Sequence, residues 1–343
     1  MNKNKPYIIA ETAYNHEGDF RYLRDMTDKI ANLKVQAIKY HLMLKLESYM
    51  QEKHPAMKLL KTWLFSKKQW RELIDRAKGK KLDVIALCDD VESIKFIQRV
   101  YPDIKAIELH AVSLNDYFML KESAAFKGTI ILGVGGSTLD EIEYAVNFLR
   151  EKGKRDILLM YGFQNYPTNY SEINLSKILK LKKLFDLPVG YADHTAFNDR
   201  YNEEVSCMAG MMGINILEKH FTLAEGKKRI DFEAAVGEDK MLKIKNLLST
   251  VLSVYGSGSM KMSAAELKYG QTGPMKKAIV AERDIRKGEK LSLSNLCFKR
   301  TREISPVQQK EFVSLIGLHA GQNIKKDEII TFDKLKYKFG KTK

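Results

Sequence analysis

INILEKH, residues 214–220, decides how this chain folds. Side chains alternate along an extended strand, so Ile214, Ile216, Glu218 and His220 share one side while Asn215, Leu217 and Lys219 share the other. A strand that is apolar on both sides and turns polar only at its carboxyl end is expected in a parallel sheet covered by helices. LPVGYAD, residues 187–193, is built the same way and runs straight into His194.

Moving outward from this pair, the same kind of segment recurs along the first 255 residues. PYIIAE (6–11), VQAIKYH (35–41), LDVIALC (82–88), IKAIEL (104–109), GTIILGV (128–134) and DILLMYG (156–162) bring the strand count to eight. Amphipathic segments such as FRYLRDMTDKIANL (20–33), KQWRELIDRAKGK (68–80), LDEIEYAVNFLREK (139–152) and EEVSCMAGMMG (203–213) lie between them. Eight alternating strand and helix units in about 250 residues predict a closed (β/α)8 barrel, an α/β fold of the TIM type. An open dinucleotide-binding sheet is disfavoured, because the first strand leads into ETAYNHEG and not G-x-G-x-x-G. The pattern then breaks. Residues 256–275 are rich in Gly and Ser and read as a linker, and residues 276–343 read as a small second domain. Within that domain DIRKGEKLSLSNL (284–296) is echoed by NIKKDEIITFDKL (323–335), an internal pseudo-repeat.

Composition narrows the function. The chain has 343 residues with 44% hydrophobic and 29% charged residues, and no apolar run approaches the roughly 18 residues of a membrane span. Its amino terminus lacks the long apolar region of a secretory signal, and Cys88, Cys207 and Cys297 form no C-x-x-C pair. A cytoplasmic protein with reduced thiols and no membrane partner is expected. The formal charge of +15 is spread along the chain and interleaved with acids, which points to anionic small substrates and not to nucleic acid.

In a parallel barrel the chemistry sits at the carboxyl ends of the strands. Glu218 and His220 are expected to face the barrel mouth together, with His194 from the preceding strand beside them. Two convergent imidazoles suit a divalent transition metal whose other positions go to water or substrate. The remaining strand ends supply Glu11, Lys39, Cys88, Glu108, Tyr161 and Asp193. A carboxylate and a lysine facing one another can bind a hydroxyl and an anion and can carry protons.

With these residues in place, the chain resembles the sialic acid (nonulosonic acid) synthases over almost its whole length. IIAETAYNHEGDF (8–20) is similar to an I-A-E-x-x-x-N-H-x-G opening, AIKYH (37–41) to a V-K-x-Q strand, and YPTNY (166–170) to a Y-P-T segment. VGYADHT (189–195) resembles G-x-S-D-H-T, and ILEKHFTL (216–223) matches nearly letter for letter. The tail, from IVAERDIRKGEKLSLSNLCFKR (279–300) to GLHAGQNIKKDEII (317–330), resembles the antifreeze-like SAF domain, a β-clip, of the same synthases.

The resemblance implies that phosphoenolpyruvate attacks, through C3, the aldehyde of an N-acyl hexosamine of the N-acetylmannosamine type. Water adds at C2, phosphate leaves, and a nine-carbon 2-keto acid results. By matched position His194 and His220 would hold the metal, Mn2+ or Mg2+. Glu11 and Glu218 would contact the sugar and the water network beside the metal, and Lys39 would meet the anionic end of the donor. Tyr166 and Asp231 would line the acceptor pocket, with Asn15, Gln164 and Glu108 completing the substrate contacts. Arg300 would reach into the partner's barrel mouth, so a domain-swapped homodimer is implied.

The donor half departs from the pattern. Where K-I-x-S-x-E is usual, residues 107–116 read IELHAVSLND, so Glu108 replaces the lysine, Ala111 the serine and Ser113 the acid. Cys88 stands for a threonine, Ala192 for the serine of S-D-H-T, YGFQNYP (161–167) for C-T-S-x-Y-P, and GKKRIDFEAA (226–235) for a G-P-D-H loop. Glu108 is expected to repel a phosphate or to pair with Lys39. Lys45, Arg229, His110 or the loop GVGGSTLDE (133–141) are candidate substitutes for a phosphate site. That loop also reads as an ordinary helix cap, Ser137 with Asp140 or Thr138 with Glu141. The alternatives to the synthase are therefore a divergent barrel aldolase or lyase with another donor, or a non-catalytic anion-binding homologue.

Overall fold

A computed structural model describes residues 5–163, 165 and 168–336. Eight parallel strands close into a barrel in sequence order: β1 Tyr7–Glu11, β2 Ala37–Leu42, β3 Asp83–Cys88, β4 Ala106–Leu109, β5 Thr129–Gly133, β6 Ile157–Tyr161, β7 Val189–Asp193 and β8 Ile216–His220. β8 closes on β1 with His220 beside Glu11, and β2 sits on the other side of β1 with Lys39 beside Glu11. All eight strands fall on the segments read from the sequence.

The period of two sorts the side chains into layers. One set of alternate residues, including Ile9, Ala37, Ile85, Ala106, Ile131, Leu158 and Ile216, packs together as one buried cluster, the apolar filling of a barrel interior. The other set, including Ile8, Ile38, Val84, Ile107 and Leu217, joins the helices in a second and larger core. Counting two residues on from the interior cluster gives Glu11, Lys39, Glu108 and Glu218. The charged layer is thus the next storey of the same stack.

Parity also corrects three expectations. Cys88, Tyr161 and Asp193 end their strands on the opposite phase and belong to the helix side. Cys88 and Tyr161 lie in the outer core, where the Tyr161 hydroxyl donates to the Ile173 carbonyl at 2.8 Å. Asp193 accepts from Lys219 Nζ at 2.5 Å, Ser206 Oγ at 2.7 Å and Thr195 Oγ1 at 2.6 Å. Lys219, fully buried, also donates to the Thr195 carbonyl. This ion pair locks the backbone on both sides of His194 from behind.

Residues Met1–Ser257 and Gly258–Lys343 form two separate compact units. The second has its own core, in which Ile285, Leu291 and Leu296 are answered 39 positions later by Ile324, Ile330 and Leu335. The repeat is structural as well. Ile285 and Ile324 exchange backbone hydrogen bonds. Gly288 N–H donates to the Ala320 carbonyl at 2.8 Å, and Asp327 N–H donates to the Ala281 carbonyl at 2.8 Å. Both Gly288 and Asp327 have positive φ, the tight-turn conformation that favours Gly and tolerates Asp. Two antiparallel pairs, β9 Ala278–Ala281 with β10 Leu296–Lys299 and β11 His319–Ala320 with β12 Leu335–Lys336, complete the unit.

The loop after β1 is fastened on every side. Asn15 Nδ2 donates to the Ile230 carbonyl at 2.9 Å, and its Oδ1 accepts from Tyr22 and Thr222, each at 3.0 Å. Gly18 has φ +82°, and a Cβ there would sit 2.4 Å from the Thr62 carbonyl oxygen, so only glycine fits the turn. His16 is buried against Phe65, with Nδ1 accepting from Gly18 N–H at 3.0 Å. Burial, reinforced by His41 and Arg229, pushes the His16 pKa down to about 3. The unfolded chain therefore takes up a proton as pH falls through about 6.5 while the folded chain does not, and stability drops from that pH downward at up to ~1.4 kcal/mol per unit. Urea unfolding at pH 7 and pH 5 should show a smaller loss on acidification in His16→Asn than in the parent. An equal loss in both would rule out this role.

Candidate active site

Lys39 is the centre of the barrel mouth. Its ammonium lies 2.7 Å from Glu218 Oε1, 3.1 and 3.2 Å from the two oxygens of Glu108, and 3.3 Å from Glu11 Oε2. All four side chains are almost wholly buried. Three like charges this close repel by roughly 4 kcal/mol per pair at ~4 Å and an effective dielectric near 20, so one ammonium cannot neutralise three full carboxylates. The groups adjust. Burial alone would lower the Lys39 pKa, but Glu108, Glu11 and Glu218 together raise it. Burial would raise Glu11, yet Lys39 and His220 hold it well below the usual carboxylate range. Burial lifts Glu108 and Glu218 against the pull of Lys39, helped by the charge of Glu11. Glu11 thus carries the firm negative charge, and the other two hold protons more readily.

Glu11 is also the hinge between two groups of histidines. On one side His41 Nε2 meets Glu11 Oε1 at 2.6 Å, with Asp89 Oδ2 3.9 Å from its other ring nitrogen. Tyr14 donates to that Asp89 oxygen at 2.7 Å. Burial raises the Asp89 pKa to about 6, against the opposing pull of His41 and the Tyr14 hydrogen bond. On the other side His220 Nε2 is 3.4 Å from Glu11 Oε2. The ring of His194 lies edge-on to that of His220 with centroids 5.1 Å apart. Burial, and then His220, push the His194 pKa down to about 3, so this imidazole is neutral near pH 7.

A cavity of about 380 Å³ opens beside this network. Lys39, Glu108, Glu218, His110 and His194 line it, together with Ala111, Ala192, Glu141 and the glycine-rich backbone of residues 133–137. That backbone packs tightly on the next strand ends: a Cβ on Gly135 would meet the Gly162 carbonyl oxygen at 1.8 Å, and one on Gly162 would meet that of Ala192 at 2.1 Å.

The structure brings Glu11, Lys39, Glu108, Glu218, His194 and His220 into one cluster. Two other expected contacts of the barrel have their partners outside this cluster. The amide of Asn15 is engaged within the loop after β1, and Asp231 accepts from Tyr14 N–H at 3.4 Å; neither lines the cavity. Arg300, exposed in the second unit, donates Nε to the Pro274 carbonyl at 2.8 Å. Gln164 and Tyr166 lie outside the described residues. Sequence reasoning missed His41, Asp89 and Tyr14. His41 follows Lys39 by two, so the alternation applied to Glu218 and His220 would have found it.

Comparison with known proteins gives a consistent picture. The model described as the NeuB family matches residues 26–260, and that of the SAF domain matches residues 276–336. The N,N'-diacetyllegionaminic acid synthase of Campylobacter jejuni is 29% identical, over 95% of this chain and 99% of its own. An uncharacterized protein of Methanocaldococcus jannaschii is 28% identical, over 98% and 96%. Among solved structures, the N-acetylneuraminic acid (sialic acid) synthetase of Leptospira borgpetersenii, in complex with citrate, superposes with a TM-score of 0.71 at 27% identity, covering 78% of this chain and 90% of that one.

The Lys39 cluster has a measurable energetic signature. Lys39→Met leaves three buried carboxyls with no cation and should cost about 3–5 kcal/mol in urea unfolding. Combining it with Glu108→Gln should recover about 1–3 kcal/mol relative to the sum of the single changes. Strict additivity would show that the two side chains do not share the pairing seen here.

Proposed function

The chain belongs to the NeuB family, with a SAF domain following its barrel, and from that premise we propose that it forms a carbon–carbon bond between a three-carbon donor and the aldehyde of an N-acyl hexosamine, yielding a nonulosonic acid. The observation that carries this reading is the pairing of His194 and His220 beside Glu11 and Glu218 at the carboxyl ends of neighbouring strands. The relatedness to a legionaminic acid synthase and the likeness to a sialic acid synthetase support it.

Two adjacent buried imidazoles, one of them held neutral, suit a divalent metal. Among the described residues no group of three or more His, Cys, Asp and Glu side chains is arranged to hold one, so the other positions fall to water and substrate. His194 and His220 would be the protein ligands of Mn2+ or Mg2+, and the metal would supply Lewis-acid polarisation of the sugar aldehyde. The chain's own residues do the rest. Glu11, firmly anionic, accepts from a sugar hydroxyl at the junction of His41 and His220. Glu218 lines the cavity and holds a proton readily, and its Oε2 accepts from no donor among the described residues; it can deliver the proton that the new alkoxide requires. Lys39 orients the carboxylate of the donor. Phosphoenolpyruvate is the donor that the family resemblance implies, and pyruvate is its unphosphorylated counterpart. The proposal extends to a cytoplasmic homodimer in which Arg300 serves the partner's barrel mouth.

The test is product formation by purified protein with Mn2+, either donor and a panel of N-acyl hexosamines, read by mass spectrometry. A nine-carbon 2-oxo acid that depends on the acceptor and falls by at least ~100-fold in His220→Ala is expected. Absence of any acceptor-dependent product with both donors would refute the reading.

A further inference from the structure

We propose that Glu108 is the specificity-determining residue of the donor end, restricting this barrel to an unphosphorylated 2-oxo acid of single negative charge such as pyruvate. This inference rests on the bond-forming reading above and names the donor for it.

Charge separates the two donors. A phosphorylated enolpyruvate brings a carboxylate and a dianionic phosphoryl group, and needs several cations or a cradle of free N–H donors. Among the described residues lining the cavity there is one lysine and no arginine, and the one further cation proposed for the mouth is the partner's Arg300. That lysine is held by both oxygens of Glu108 and by Glu218 and Glu11. Three of the four substitutes for a lost phosphate site are engaged or turned away, and the fourth, His110, adds to the wall a single imidazole whose Nδ1 accepts from Val112 N–H at 3.2 Å. Lys45 is exposed and does not line the cavity. Arg229 is bound to the Asn15 carbonyl and Glu17, and its guanidinium stacks on Tyr22. The helix Leu139–Glu151 does begin at the cavity, but its first turn is capped from within. Glu141 accepts from Thr138 N–H at 2.7 Å while Thr138 accepts from Glu141 N–H, and Asp140 adds a second negative charge. A helix end that already carries two acids is a poor seat for a phosphate. Ala111 and Ala192, which also line the wall, offer no hydroxyl.

A monoanion meets none of these obstacles. Its carboxylate can share Lys39, and Glu108 in its proton-bearing form can donate to the 2-oxo oxygen. The reaction then balances without a leaving group. Pyruvate loses a proton from C3 to a carboxylate of the cluster, C3 bonds to the aldehyde carbon, and the aldehyde oxygen takes up a proton. Every atom of both substrates is retained in the product, and neither water nor phosphate enters the balance.

The experiment measures binding of pyruvate, phosphoenolpyruvate and inorganic phosphate to the full-length protein by titration calorimetry, with no turnover required. The parent should bind pyruvate at least ~10-fold more tightly than phosphoenolpyruvate and show no saturable binding of phosphate. Glu108→Gln, nearly isosteric, should shift the ratio toward phosphoenolpyruvate by ~10-fold or more, and Glu108→Lys further still, with thermal melts confirming that each variant is folded. Tighter binding of phosphoenolpyruvate by the parent, a ratio unmoved by both variants, or binding of neither donor would overturn the inference. The expected ratios without any acceptor-dependent product would leave the donor assignment standing and refute the bond-forming reading instead.

Discussion

The ammonium of Lys39 is the interaction on which the upper barrel depends. Three other strands supply the carboxyls around it, and among the described residues the cavity wall offers them no alternative lysine or arginine. Buried ion clusters of this kind seldom stabilise a fold in net terms, because desolvation consumes much of the attraction. What they provide is arrangement. A carboxyl that must reach one fixed cation has one position, and Glu11, so placed, in turn sets the positions of His41 and His220.

Beneath this layer the barrel is apolar, and around it the helices cover the other phase of every strand. The change from apolar to charged occurs within one step of two residues along β1, β2, β4 and β8. This is why the cluster sits at the rim without opening the core to water. The Lys219–Asp193 pair performs a similar task on the outer side, fixing the turn into His194 with donors that never reach the cavity. An ion cluster and an ion pair of opposite phase therefore hold the two halves of the site. The one inside faces the ligand, and the one outside holds the backbone that presents His194.

The second unit follows a different logic. Its core is assembled twice from the same short pattern, and the two copies meet at Ile285 and Ile324. Each copy closes its turn with a glutamate that accepts from a backbone N–H three residues earlier, Glu289 from Arg286 and Glu328 from Lys325. A unit of this size gains a compact core by duplication where a single copy would bury too little.

The eight strands, the helices between them, the repeat in the tail and the pairing of Glu218 with His220 are legible along the chain without coordinates. All of these are periodic or local, and a period of two or of 3.6 is visible along one chain. The sequence also carried the departure at Glu108, because a carboxyl in place of a lysine is legible in the same way. Which strand ends face inward is settled by barrel closure. Cys88, Tyr161 and Asp193 end their strands as Glu11 does, but on the opposite phase, and the phase of each strand is set by its register against neighbours far away in sequence. Only the fold, too, could join Asp89 and Tyr14 to His41, or show that Glu108 grips Lys39 with both oxygens. Those contacts bridge residues 48 to 75 positions apart, and their geometry comes from barrel closure.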